Sequence, residues 1–197
     1  IHAYAAARPQ LAAQFDTDAI FFEIRLEPYL IAAARRHPEL APALEALVAL
    51  CAADLRQVNA IVLEHMRSGV PLVPQLAGHI IAAGGKRLRP MLLLLAARAL
   101  GHRGPDAHQL AAVVEFIHTA TLLHDDVVDE SDLRRGRKTA NALFGNAPSV
   151  LVGDFLYSRA FQMMVSLNRM RVLEVLADAT NVIAEGERWS DVDANRG

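Results

Sequence analysis

The stretch Glu115-Phe116-Ile117-His118-Thr119-Ala120-Thr121-Leu122-Leu123-His124-Asp125-Asp126-Val127-Val128-Asp129 decides the fold. Apolar residues recur through it at helical spacing, without the alternation of a strand. Asp106 offers an N-cap upstream, so one long helix from Asp106 to Asp129 is expected. From Ala107 to Leu123 it is apolar enough to lie at the centre of a bundle.

The flanks read the same way. Upstream, Asp54 to Ser68 places Leu55, Val58, Ile61 and Val62 at helical spacing and ends at Gly69 and Pro71. Gln75 to Ala83 forms a second helix stopped by Gly84-Gly85, and a third runs from Pro90, a residue suited to a first turn, to Leu100. Downstream, a loop at Arg134-Arg135-Gly136 precedes helices at about 139–144, 149–167 and 169–185. Residues 1–45, Ala-rich and broken by Pro9, Pro28, Pro38 and Pro42, read as a loosely packed extension. Strand signals are weak throughout. The expectation is a single all-α domain over residues 1–187, followed by a divergent, polar tail at 188–197.

Composition narrows the function. Lys and Arg number 20 against 22 Asp and Glu, so no global field points to nucleic acid. The lone cysteine, Cys51, excludes an internal disulfide framework, fits a reducing compartment, and is expected to be a small core residue. The longest apolar run, about Met91 to Ala97, is far short of the roughly 20 residues of a membrane span, and no signal segment opens the chain. A cytoplasmic protein without a transmembrane segment is expected.

Chemistry is concentrated in local clusters. Asp125 and Asp129 stand one helical turn apart, with Cβ atoms about 5–6 Å from each other. At a helix C-terminus the macrodipole adds to their mutual repulsion, so a cation between them would be stabilising. Oxygen donors with open positions suit Mg²⁺, which keeps waters and takes substrate phosphates. Asp126, about 100° around the helix, is expected to support the metal site rather than bind directly. His118, two turns before Asp125, can donate to a phosphate. His124 points off that face and reads as structural. Arg134 and Arg135, followed by Arg137 and Lys138, offer guanidinium forks to diphosphate oxygens. A second anion site is expected at Gly84-Gly85-Lys86-Arg87-Leu88-Arg89-Pro90, where glycines permit close backbone approach and a helix N-terminus follows. Lys86 and Arg89 can face one way, leaving Arg87 for another partner. Two anion sites imply two phosphorylated substrates.

With these residues in view, the chain resembles the trans-isoprenyl diphosphate synthases, in particular the long-chain polyprenyl type that makes octaprenyl or decaprenyl diphosphate. The resemblance spans about 54–187 and rests on Gly-Gly-Lys-Arg-Leu-Arg-Pro (84–90), residues 115–129, Asp-Leu-Arg-Arg-Gly (132–136) and Leu-Val-Gly-Asp-Phe-Leu (151–156). It implies an isoprenoid-synthase-type bundle around a central cavity, usually a homodimer and in some cases a heteromer. It implies that Asp125 and Asp129 bind Mg²⁺ and that Arg134 takes the allylic diphosphate. Lys86, Arg89, His118 and Arg135 would grip isopentenyl diphosphate. Ala120 and Thr121, where bulky side chains would floor the product tunnel, would leave it open for a long chain such as a quinone side-chain precursor.

The family carries a second aspartate-rich motif on a later helix, whereas Asp125-Asp126 is the only Asp-Asp pair here. The bundle is therefore expected to be incomplete at the C-terminus, and inactivity of the chain alone is an open outcome. Two other readings stay open: a non-catalytic regulatory subunit of a heteromeric prenyl synthase, and a metal-dependent HD-type phosphohydrolase built on His124-Asp125. The latter explains neither basic segment.

Overall fold

In the computed structural model, which describes residues 39, 41–82, 87–102, 104–134 and 136–194, seven helices follow one another. They are α1 (Ala41–His65), α2 (Leu72–Ala82), α3 (Leu88–Ala99), α4 (Asp106–Val128), α5 (Ala140–Phe144), α6 (Asn146–Ser166) and α7 (Met170–Ala194). Between α4 and α5 a short antiparallel hairpin joins β1 (Leu133–Arg134) to β2 (Arg137–Lys138), with Leu133 opposite Lys138 and Arg134 opposite Arg137. The fold is all-α, as the helical periodicity requires.

Helix α4 is central because it is apolar on several sides at once. It packs against α1, α3 and α6. Ala111, Ala112, Val113 and Ala120 are wholly enclosed, and Phe116 and Leu123 are buried among them. The small alanines let neighbouring helices approach, and the large side chains fill the gaps between them. From α6 come Val152, Leu156, Ala160 and Met163. Gln109 fixes the register of this pair, its Nε2 donating to the carbonyl of Met163 at 3.0 Å and to Ser166 Oγ at 2.6 Å.

Helix α1 is tied to the bundle by a polar clamp as well as by Cys51, Val58 and Val62, all buried. Asp54 accepts from His108 Nε2 of α4 at 2.9 Å and from Arg98 Nη2 of α3 at 2.5 Å. The hydrogen bond from His108 is the main reason that the Asp54 carboxyl lies below the usual carboxylate range; Arg98 adds to the effect and burial opposes it. A lowered folded-state value stabilises the protein above the unfolded pKa, about 4, and the gain is lost as pH falls through the folded value. The charged hydrogen bonds, discounted for their partial exposure, amount to about 1 kcal/mol. Asp54→Asn is therefore expected to lose that much at pH 7 in urea denaturation. The gap to wild type should close below about pH 4, and a gap that persisted there would contradict the assignment.

Several local expectations are corrected. Helix α1 begins 13 residues before Asp54, because Pro42 falls in its first turn, where proline is tolerated. Asp106 is not the N-cap of α4; Pro105 is, without a side-chain cap. The Asp106 carboxylate instead accepts from Arg169 Nη2 at 3.1 Å, and in the first turn it suits the helix dipole. Arg134 and Gly136, expected in a loop, belong to the hairpin. Helix α7 continues to Ala194, through most of the stretch read as an aperiodic tail. Finally, Glu45–His65 within α1 is long and apolar enough to cross a membrane by length and composition, with mean hydropathy 1.6. Four charged residues, Glu45, Asp54, Arg56 and Glu64, interrupt its apolar run.

Candidate active site

The C-terminal half of α4 turns one face toward α7 and the start of α3. Val114, Ile117, His118, Thr121, Leu122 and Asp125 lie on that face at helical spacing and line a cavity of about 230 Å³. Arg89 from α3 and Leu176, Ala179, Thr180 and Ile183 from α7 close it. The cavity thus brings together Arg89, His118, Thr121 and Asp125, four of the residues singled out by sequence, along an otherwise apolar wall. Ala120 is turned the other way and is enclosed in the core, because one residue rotates a helix position by about 100°. Lys86 and Arg135, with Gly84-Gly85, lie outside the described residues.

The acidic end of α4 is closed by a Schellman turn. Glu130 N donates to Val127 O at 3.3 Å and Ser131 N to Asp126 O at 3.0 Å. Glu130 adopts the left-handed conformation this requires, with φ 49°, a position that glycine usually fills. The chain is thereby reversed into the hairpin. There Gly136, with φ 78°, makes the tight turn that returns β2 alongside β1.

Reversal brings Arg134 back over the helix end. Its Nε and Nη2 both reach Asp126 Oδ1, at 2.9 and 2.8 Å. Asp126 is buried, and both contacts of the arginine end on its Oδ1. Asp125 is partly buried, and Asp129, one turn on, is exposed. Burial pushes the Asp125 carboxyl above its ordinary range; Arg134 counteracts this, while Asp129 and Asp126 reinforce it. Among the described residues, no group of three or more His, Cys, Asp and Glu is placed to hold a metal by itself. Asp125 and Asp129 present oxygen donors one helical turn apart and would hold a hydrated cation of the kind that leaves positions to water or phosphate oxygens. Such a cation would also offset the charge gathered at the helix end.

Two further side chains hold this end and were not foreseen. Thr139 caps α5, its Oγ1 accepting from Ala142 N at 3.4 Å while donating to Ser131 O at 2.7 Å. Asn141 Nδ2 donates to Asp126 O and Ser131 O, at 3.0 and 3.2 Å. On α2, His79 Nε2 donates to Lys138 O at 3.0 Å, pinning the hairpin from outside. At the basic segment, Arg87 does find a separate partner, pairing through Nη1 with Glu115 of α4. His124 is structural, as its position suggested. Its Nε2 contacts Val150 O and Asp154 Oδ1, each at 3.3 Å, and its ring stacks beside Tyr157.

Comparison with known proteins now bears on this geometry. The polyprenyl synthetase family matches residues 70–196. The chain belongs to that family. It is 62% identical over 144 residues to octaprenyl diphosphate synthase of Escherichia coli, a match covering 73% of this chain and 45% of the relative. The crystal structure of a decaprenyl diphosphate synthase from Rhodobacter capsulatus aligns with a TM-score of 0.71 at 58% identity, over 73% of this chain and 45% of that one. The polyprenyl synthase of Caulobacter crescentus, solved with calcium and isoprenyl diphosphate, aligns with a TM-score of 0.71 at 56% identity, over 73% and 44%. The chain thus spans less than half the length of these polyprenyl synthetase relatives. Their all-α isoprenoid-synthase fold is the one observed here.

Proposed function

We propose that this polyprenyl synthetase chain acts in condensing isopentenyl diphosphate with an allylic diphosphate to build a long-chain all-trans polyprenyl diphosphate, a quinone side-chain precursor. The supporting observation is the convergence of Arg89, His118 and Asp125 on one apolar-walled cavity. A diphosphate head needs cations and donors, an isoprenoid tail needs an apolar wall, and this cavity offers both.

Asp125 and Asp129 would hold Mg²⁺, which when bound draws off the negative charge developing on the leaving diphosphate. Arg134, aimed by Asp126, stands ready to grip the allylic diphosphate. Arg89 and His118, with Lys86 and Arg135, hold isopentenyl diphosphate alongside. As the allylic C–O bond breaks, the isopentenyl double bond supplies the electron pair for the new C–C bond, and loss of a proton restores the alkene. The lengthened chain lies along Ile117, Thr121 and the α7 wall, where Thr121 leaves the passage open and Ala120 behind it keeps the helices close. The reading includes a cytoplasmic, dimeric protein, either a homodimer or a heteromer, with no nucleic-acid partner. The phosphohydrolase reading is disfavoured because His124 is engaged by α6 and carries no further ligand set with it among the described residues.

The test is incorporation of labelled isopentenyl diphosphate into an allylic primer with Mg²⁺, with products resolved by length. Long polyprenyl products are expected. Folded protein that neither incorporates label nor binds Mg²⁺ with pyrophosphate would overturn the reading.

A further inference from the structure

The end of α4 carries the two carboxylates, and the hairpin carries Arg134. Asp129, Leu133, Arg134, Arg137 and Lys138 are all exposed. The connection includes the Arg134–Asp126 pair and a second polar link that runs through one residue of α5. Asn141 lies in the first turn of α5, and its amide donates at once to the carbonyl of Asp126, inside the last turn of α4, and to that of Ser131, at the root of the hairpin. The orientation of this amide is forced, because a flipped side chain would set its oxygen against two carbonyl oxygens. Thr139 secures the same Ser131 carbonyl from the side. The Asn141 Oδ1 atom is buried and has no partner among the described residues, so the side chain is held by its donors alone.

We propose that Asn141 is a positioning residue for the diphosphate site: by clamping Asp126 and Ser131 it sets the distance between the Asp125–Asp129 pair and the Arg134 hairpin. This rests on the diphosphate-binding reading given above. The two halves of such a site must be spaced to receive the same phosphate oxygens, and groups that orient metal-binding carboxylates typically change affinity by about 10–100-fold when removed. Asn141 is not among the residues that line the cavity, so its influence is exerted through the carboxylates and the arginine.

The test uses the whole chain and Mg²⁺ with inorganic pyrophosphate as the probe, measured calorimetrically at a temperature where every variant is folded by circular dichroism. Asn141→Asp is nearly isosteric but replaces the donor with an acceptor. It is expected to weaken pyrophosphate binding at least about tenfold and to raise the Mg²⁺ concentration at half-saturation. Asn141→Ser keeps a single donor, is expected to fall between the two, and serves if the aspartate variant does not fold. Asn181→Ala, exposed on α7 and paired with Glu185, should bind as wild type. A merely structural role would lower the melting temperature of the Asn141 variants while leaving both binding readouts at wild-type values. That outcome overturns the proposal and leaves the functional reading intact. Failure of the wild-type chain to bind Mg²⁺–pyrophosphate overturns both.

Discussion

Truncating Phe116 to alanine should cost about 3–5 kcal/mol of stability. Phe116 is 2% exposed at the middle of α4, where α1, α3 and α6 converge, so little can collapse into the space it leaves. Domains of this size are stable by about 5–15 kcal/mol in total, which places the variant near the edge of folding. Urea denaturation should show a lower midpoint with an unchanged slope, the signature of lost stability without a change in the surface exposed. Val165→Ala on the outer side of α6, where Val165 is 64% exposed, should stay within about 0.5 kcal/mol of wild type. A Phe116→Ala loss under about 1 kcal/mol would contradict the central position of α4.

Gly153→Ala should be destabilising, although alanine is the better helix former by about 1 kcal/mol. A Cβ at position 153 would stand 2.3 Å from His124 Nε2 and 2.7 Å from its Cδ2, and neither contact is sterically possible. The imidazole would have to leave Val150, Asp154 and the face of Tyr157. Overpacking of this kind typically costs about 1–3 kcal/mol. The decisive comparison is a double-mutant cycle. With His124→Ala already in place the obstruction is gone, and adding Gly153→Ala should become neutral or stabilising. If the cost of Gly153→Ala were the same in both backgrounds, the helix contact would not be what requires glycine.

Long apolar helices were legible in the sequence because burial imposes their period. Helices α3, α4 and α6 fall within a few residues of their expected limits for that reason. The start of α1 was missed because Pro42 read as an interruption, although a first turn has no use for the missing N–H. The hairpin was missed because two-residue strands of exposed, charged side chains leave no alternation to detect. Asp125, Arg89 and His118 were legible as chemistry by residue type and spacing, and the cavity unites them. The distinction between Ala120 and Thr121 was not, since both are small and only the rotation of the helix separates core from cavity. Asn141 was illegible for a different reason: an asparagine gripping two main-chain carbonyls looks in sequence like any other polar residue near a helix start.

The Schellman turn at Glu130 has a consequence for the order in which the molecule assembles. The acidic turn, the arginine hairpin and the asparagine clamp all fall between residues 125 and 141, so this part of the site closes over a segment short enough that little chain entropy opposes it. The wall contributed by α7, some 50 positions further along, must be brought in across a far longer loop. On the reading proposed above, the Asp125–Arg134 end of the diphosphate site is specified by local sequence, whereas Arg89 and the α7 wall are brought to it across longer loops. On that reading, substitutions in the α7 wall would reshape the cavity without disturbing the turn, hairpin and clamp at 125–141.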